Sequence, residues 1–356
     1  LRYGCAGAPP KAYLQAALHG DELPGVLVLA RLAEFLDDAQ RSGRVLGEVV
    51  LVPLANPIGF AQGVMDRHTG RYDLVAMTNF NRGWPDLEGA LAAAVADRLG
   101  DDPAANVAVV REAMRAQAAA LPDEGENAAL RKLLFGQACD ADLVLDLHCD
   151  LEAVMHLYLG TPLWPEAADL AAELNAQAVL LAEVSGGAPF DEACSGPWWA
   201  LARRFPERPI PRACLAATVE LRGLCDVDEA TADRDAEALW RFLQRRGVVA
   251  GDPGPLPALP AEATPLAGVA MVRAPAGGIV AYEVQPGEVV HAGQRVAVLV
   301  DPLAAERPER RRAITAPIDG LVFARSQARV ARAGEIVLKI AGREPLPERK
   351  GRLLSD

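Results

Sequence analysis

Two short stretches with consecutive apolar residues, Glu48-Val-Val-Leu-Val-Pro-Leu and the Leu143-Val-Leu of Ala141-Asp-Leu-Val-Leu-Asp-Leu-His-Cys-Asp, constrain the fold more than any other feature of this chain. A strand with one wet face alternates apolar and polar residues, whereas a run lacking that alternation reads as a strand covered on both faces. Double cover calls for helices on either side of a mostly parallel sheet. The intervening sequence fits. Lys11–Leu18 reads as a strand, and Leu27, Leu29, Ala30, Leu32, Ala33 and Leu36 then recur at helical spacing between Leu23 and Gln40. Pro24 falls in the first turn of that helix, where its missing N–H costs little, and Gly43 follows as a stop signal. The expected fold class is therefore α/β, a mixed, mostly parallel sheet flanked by helices.

Further along, residues 87–121 are alanine-rich and read as two helices broken near Asp101-Asp102-Pro103, with another helix at Asn127–Cys139. Met155–Leu159 reads as a strand, Pro165–Ala182 as a helix and Gly186–Pro197 as a loop. Leu215–Gly223 then reads as a strand and Asp228–Gln244 as a closing helix. Residues 251–265 are a proline-rich linker, expected to be semi-rigid and unpacked. Beyond them the pattern changes to short strands with an internal repeat. Ala274-Pro-Ala-Gly-Gly-Ile-Val is echoed by Ala316-Pro-Ile-Asp-Gly-Leu-Val, and Val290-His-Ala-Gly-Gln-Arg-Val by Val330-Ala-Arg-Ala-Gly-Glu-Ile-Val. The expected organisation is an α/β domain over 1–250, the linker at 251–265, a small all-β barrel-sandwich-like domain over 266–345 and a tail at 346–356.

A formal net charge of −12 argues against a nucleic-acid partner. No apolar run reaches the roughly 18 residues needed to span a bilayer, and nothing at the start reads as a signal peptide. The six cysteines are scattered without a Cys-x-x-Cys pair, which fits reduced thiols and a cytoplasmic location.

Chemistry concentrates at Ala17-Leu-His-Gly-Asp-Glu22, between the first strand and the first helix. An imidazole and a carboxylate three residues apart at such a corner can converge on one cation, leaving a position for water, as catalytic zinc requires. On its own His-x-x-Glu is a common coincidence. His148 stands at the C-terminal end of its strand, the edge where open α/β sheets bind ligands, and would complete a His₂Glu zinc set. Asp146 shares its strand face and would orient a ligand imidazole. Cys149 falls on the opposite face, which favours simple packing.

His19-Gly-Asp-Glu22, Asn56-Pro57, Arg71-Tyr72, Asn81-Arg82, Asp146-Leu-His148 and Thr218-Val-Glu220 occur in that order over roughly residues 10–245. This ordered set resembles the aspartoacylase/succinylglutamate desuccinylase family, relatives of the zinc carboxypeptidases. Asn79-Phe-Asn-Arg-Gly-Trp-Pro and Phe190-Asp-Glu-Ala-Cys-Ser look most like its N-acetyl-diaminobutyrate deacetylase branch. The resemblance implies a zinc-carboxypeptidase-like fold with one zinc per chain on His19, Glu22 and His148. It implies zinc-hydroxide attack on the amide of a small N-acyl amino acid, with Glu220 as general base and proton donor to the leaving amine. Arg71 would hold the oxyanion, with Arg67 as a competitor, and Asn81 and Arg82 would grip the substrate carboxylate. Asp191, Glu192 and Ser195 are candidates for shaping specificity, while His68 and His156 match no role. A homo-oligomer is compatible with the family branch.

The C-terminal repeats resemble biotinyl/lipoyl barrel-sandwich hybrids. Val300–Ala313, where a carrier domain needs a lysine, has none, so the hairpin offers no site for covalent biotin or lipoate. Two other readings remain open at this point: a metallocarboxypeptidase-like peptidase acting on small peptides, and a non-catalytic binding protein that uses the C-terminal barrel.

Overall fold

A computed structural model describes residues 1–306, 308 and 310–354. Eight strands form one sheet in the order Arg2–Gly4, Glu48–Val52, Lys11–Ala16, Leu143–Asp150, Leu215–Gly223, Met155–Leu159, Ala178–Leu181 and Ala263–Pro265. All its pairings are parallel except Arg2–Gly4 on Glu48–Val52 and Met155–Leu159 on Leu215–Gly223. Successive side chains leave opposite faces, so neighbouring residues serve two cores. Leu14 and Leu145 pack with Leu32, Leu170 and Phe242 from helices Pro24–Arg41, Ala168–Glu173 and Glu229–Arg245. Tyr13 and Val144 pack with Leu91, Met114, Phe135 and Trp198 from Glu88–Val95, Pro103–Ala119, Glu126–Ala138 and Phe190–Arg204. This is the doubly covered sheet that the apolar runs require. The break between the two alanine-rich helices is set by Asp102, whose carboxylate accepts the Ala104 N–H at 2.9 Å and caps the helix that Pro103 begins.

Two expected elements differ. The helix expected at Pro165–Ala182 is confined to Ala168–Glu173, and Ala178–Leu181 is instead a buried strand. Asn175 adopts a left-handed backbone (φ 52°) that ends the helical path, and a four-residue apolar run carries no period to distinguish strand from helix. The loop expected at Gly186–Pro197 is largely the helix Phe190–Arg204, which contains Pro197. Phe190, Cys194, Trp198 and Leu201 fall on one buried stripe, and their burial offsets the carbonyl bond that proline removes.

The C-terminal segment folds as two small antiparallel sheets around a core that includes Val272, Val280, Leu299, Val322 and Leu338. One sheet joins Val269–Arg273, Ile336–Ala341, Gly320–Arg325 and Val289–Val290; the other joins Arg311–Thr315, Arg295–Val300, Gly278–Tyr282 and Val330–Ala331. Each sheet takes two strands from each half of the repeat, so the halves interlock. Strands are also traded with the large sheet. Glu152–Ala153 pairs with Gly320–Arg325, and Ala263–Pro265, at the end of the expected linker, pairs with Ala178–Leu181. In the expected tail, Leu353 is buried and donates its N–H to the Ser185 carbonyl at 2.7 Å; residues 355 and 356 lie outside the described residues, as do 307 and 309 of the Val300–Ala313 hairpin. Among the described residues no helix is long and apolar enough to cross a membrane.

Candidate metal centre and its cavities

The strand Lys11–Ala16 ends at Ala17, whose positive φ of 55° turns the chain into the corner carrying His19. Two glycines let this corner sit against the loops that follow. A Cβ on Gly20 would lie 2.2 Å from the Phe60 nitrogen, and one on Gly70 would lie 2.3 Å from the Asp21 nitrogen. The Gly20 N–H donates to the Gly70 carbonyl at 2.9 Å. Glu22 closes the turn with its own N–H on the His19 carbonyl at 3.0 Å, which brings both side chains to the same side.

His148 reaches that place from the neighbouring parallel strand. Nδ1 of His19 lies 2.8 Å from Glu22 Oε1, and Nδ1 of His148 lies 2.7 Å from Glu22 Oε2. The three residues are buried, and one donor atom from each falls within 4.8 Å of the others. Both Nε2 atoms are engaged on the far side. Asn79 Oδ1 is 2.9 Å from that of His19, and Asp146 Oδ2 is 2.9 Å from that of His148. Asp146 is itself held by the Gln15 amide at 2.9 Å. With the Asn79 acceptor on His19 Nε2, the proton belongs there and the His19 Nδ1 lone pair faces inward, the arrangement that metal-ligating histidines use; His148 Nε2 has the Asn81 amide nitrogen at 3.2 Å as well as Asp146 beside it, and its Nδ1 faces Glu22. A buried donor set of two imidazole nitrogens and a carboxylate fits a zinc ion.

Burial by itself would raise the Glu22 carboxyl, but the two imidazoles outweigh it and hold it well below the usual range. Burial likewise lowers the His19 imidazole, whereas at His148 the carboxylates of Asp146 and Glu22 reverse that effect and raise it. Glu220 is opposite His148 in the register of adjacent strands. Burial, reinforced by repulsion from Glu22, pushes its carboxyl up to about 8, and its buried Oε2 has no hydrogen-bond partner.

His19, His148 and Glu220 line one cavity together with Arg71, Asn81, Arg82, Tyr158 and Thr218. Arg71 Nη1 lies 3.3 Å from Glu22 Oε1, whereas Arg67 is exposed on the hairpin Gly63–Val64/Arg67–His68 and lines no cavity that holds the cluster. The Asn81 side chain accepts the Phe190 N–H at 2.9 Å, and Arg82 donates to the Asn81 carbonyl at 2.8 Å. Asp191 and Glu192 also line this cavity, and burial, with Glu192 alongside, raises the Asp191 carboxyl to about 8. Ser195 is turned away, its hydroxyl bonded to the Asp191 carbonyl. Cys149 is not confined to packing behind the strand: at the strand end it lines the cavity wall, where burial raises its thiol far from ionisation, and its N–H donates to Glu22 at 3.1 Å. His156, buried beside Phe323 and Tyr158, donates to or accepts at no catalytic candidate; its Nδ1 bonds the Val154 carbonyl.

Two contributors had no assigned role in the sequence. Asn79 could have been found from its place two residues before Asn81 on the same loop. Lys339 could not. It comes from the small β unit, pairs with Asp150 and lines the same cavity as Glu220.

The sequence profile of the succinylglutamate desuccinylase/aspartoacylase catalytic domain matches residues 8–246. The chain belongs to that family. No match is found among the curated proteins. Solved structures of family members from Shewanella amazonensis and Shewanella frigidimarina are each 26% identical. The first covers 96% of this chain and 93% of its own at TM-score 0.82; the second covers 95% and 90% at 0.83. The product-bound ectoine utilization protein EutE from Ruegeria pomeroyi shares the fold, at 19% identity and TM-score 0.64 over 94% of this chain and 85% of its own. The family profile ends at residue 246, whereas the likeness to these solved structures, over 94–96% of this chain, extends into the small β unit.

Proposed function

We propose that this family member is a zinc-dependent amidohydrolase that removes the acyl group from a small N-acyl amino acid or similar amide. The observation that carries the reading is the convergence of His19, Glu22 and His148, with both histidines lining one cavity together with Glu220, whose Oε2 has no hydrogen-bond partner. His19 Nδ1, His148 Nδ1 and a Glu22 oxygen would hold the ion. When bound, zinc supplies Lewis acidity, which makes water a nucleophile near neutral pH and polarises a carbonyl.

The remaining work falls to the chain. Glu220 Oε2 accepts the proton of the attacking water and passes it to the amide nitrogen as the C–N bond breaks, leaving a free amine and a carboxylate. Burial raises its carboxyl, which favours the protonated form that returns the proton to the leaving amine, and a bound cation would draw it back toward the ionised form that accepts one. The Arg71 guanidinium, already at the cluster, stabilises the negative charge that develops on the carbonyl oxygen. Arg82, steadied through the Asn81 carbonyl, offers its fork to the substrate carboxylate. Asn81 lines the same wall and would add a contact to that carboxylate.

Glu220→Gln is expected to lower kcat by at least about 100-fold while the protein still binds one zinc by metal analysis. A zinc-loaded variant with wild-type turnover rejects the assignment. Arg82→Ala is expected to raise KM by about tenfold or more for substrates with a free carboxylate, and to leave their amides unaffected. A panel of N-acyl amino acids run beside dipeptides separates the deacylase from a peptidase.

A further inference from the structure

The proposed reaction splits its substrate at the amide bond, and the space around the cluster is split in the same way. Glu220 lines only the first cavity, together with Arg82 and Tyr158. Asp21 and Glu22 line a second cavity of about 360 Å³, which neither Glu220 nor Arg82 reaches. Arg71, Cys149, Asp150 and Lys339 line both, so the cavities meet along that wall beside the metal cluster. A group that protonates the leaving nitrogen must face the amine. The amine portion therefore occupies the first cavity, and the acyl portion, across the carbonyl from it, points into the second.

The character of the second cavity then bears on which acyl group it accepts. Beyond the wall it shares with the first cavity, its apolar lining comes from two sides, Leu151 and Leu224 from loops at the ends of the large-sheet strands and Ile336 and Leu338 from the small β unit, with Asp21 and Ser326 as polar neighbours. The charged residues Arg71, Asp150 and Lys339 belong to the wall shared with the first cavity, where Lys339 is paired with Asp150 and Arg71 with Glu22, and Asp21 is a further carboxylate in the lining. Arg325, on the rim, is held by Glu152 and by the Val284 carbonyl at 2.7 Å. Such a space has polar contacts for a carbonyl or carboxylate along the shared wall and hydrocarbon side chains beyond it.

We propose that the second cavity is an acyl-chain subsite, so that the preferred substrates are N-acyl amino acids carrying a medium-length hydrocarbon chain rather than an acetyl group. This inference rests on the amidohydrolase reading. Hydrolysis adds one water across the C–N bond; the fatty carboxylate remains in the second cavity with its head at Arg71 and Lys339, and the amino acid leaves from the first. The small β unit is then part of the substrate site, because it supplies one side of the subsite and the lysine of the shared wall.

The test compares N-acetyl with N-hexanoyl forms of the same amino acid on zinc-loaded protein, and acetate with hexanoate by calorimetry on zinc-loaded and metal-free protein. Each buried methylene is worth about a fourfold gain, so hexanoyl is expected to exceed acetyl in kcat/KM by at least about tenfold, with hexanoate the tighter ligand. Ile336→Trp and Leu224→Trp fill the cavity from opposite walls, and each is expected to reduce the hexanoyl-to-acetyl ratio by at least about tenfold and to abolish hexanoate binding. Two variants from separate units guard against a local folding defect in either. Acetyl preferred over hexanoyl in the wild type, or a ratio unmoved by both tryptophans, overturns the subsite. If no N-acyl amino acid of any length is turned over while zinc is bound, the amidohydrolase reading fails, and block of hexanoate binding by the tryptophans still decides whether the cavity holds acyl chains.

Discussion

Lys339→Met tests how firmly the small β unit is wired into the catalytic half of the molecule. Lys339 keeps about one fifth of its side chain exposed, while the Asp150 side chain is 13% exposed and sits at the strand end two residues past His148. Lys339 is the cation whose field opposes the burial of Asp150 and holds that carboxyl below its ordinary range. Removing it leaves a carboxylate in a low-dielectric site with the Leu151 N–H, at 2.8 Å, as its remaining hydrogen bond. Breaking a fully buried pair costs about 3–5 kcal/mol, and the partial exposure of Lys339 brings the expected loss to about 2–3 kcal/mol. Equilibrium denaturation in urea reads this directly. The double variant Asp150→Asn/Lys339→Met removes both charges and is expected to be more stable than Lys339→Met alone by at least about 1 kcal/mol. If the double variant is no more stable than the single, the loss comes from packing rather than from an orphaned charge, and the electrostatic argument is refuted.

Two further outcomes follow from the geometry. Asn79→Ala removes the acceptor on His19 Nε2 and is expected to weaken zinc binding by about 10–100-fold, measured by competition with a chelator of known affinity. His156 gives a pH signature: burial lowers its imidazole from 6.5 to about 4, so the unfolded chain takes up a proton that the folded chain refuses. Its contribution is therefore complete above pH 6.5 and is lost as pH falls toward 4, by about 3 kcal/mol in denaturation midpoints converted to free energy, and His156→Phe should remove that step.

The parts of the molecule that were legible in the sequence are those set by local pattern. Unbroken apolar runs mark the strands covered on both faces, and Asp102-Pro103 marks a helix start, because each acts through its neighbours in the chain. The His19/Glu22 corner is legible for the same reason, since three residues of turn geometry suffice to bring both side chains to one side. Where local pattern was weak, long-range packing decided. Phe190–Arg204 is a helix despite Pro197 because Phe190, Trp198 and Leu201 bury a stripe against the sheet, and Ala178–Leu181 is a strand because Met155–Leu159 offers it an edge. Only the tertiary structure could supply the wall opposite the metal cluster. Lys339 lies 191 positions after His148 in the numbering, and nothing local to either residue encodes their approach. It is produced by strands exchanged between two cores, with Glu152–Ala153 joining the small sheet and Ala263–Pro265 the large one, and such pairing is selected by hydrogen-bonding edges that exist only once both units have folded.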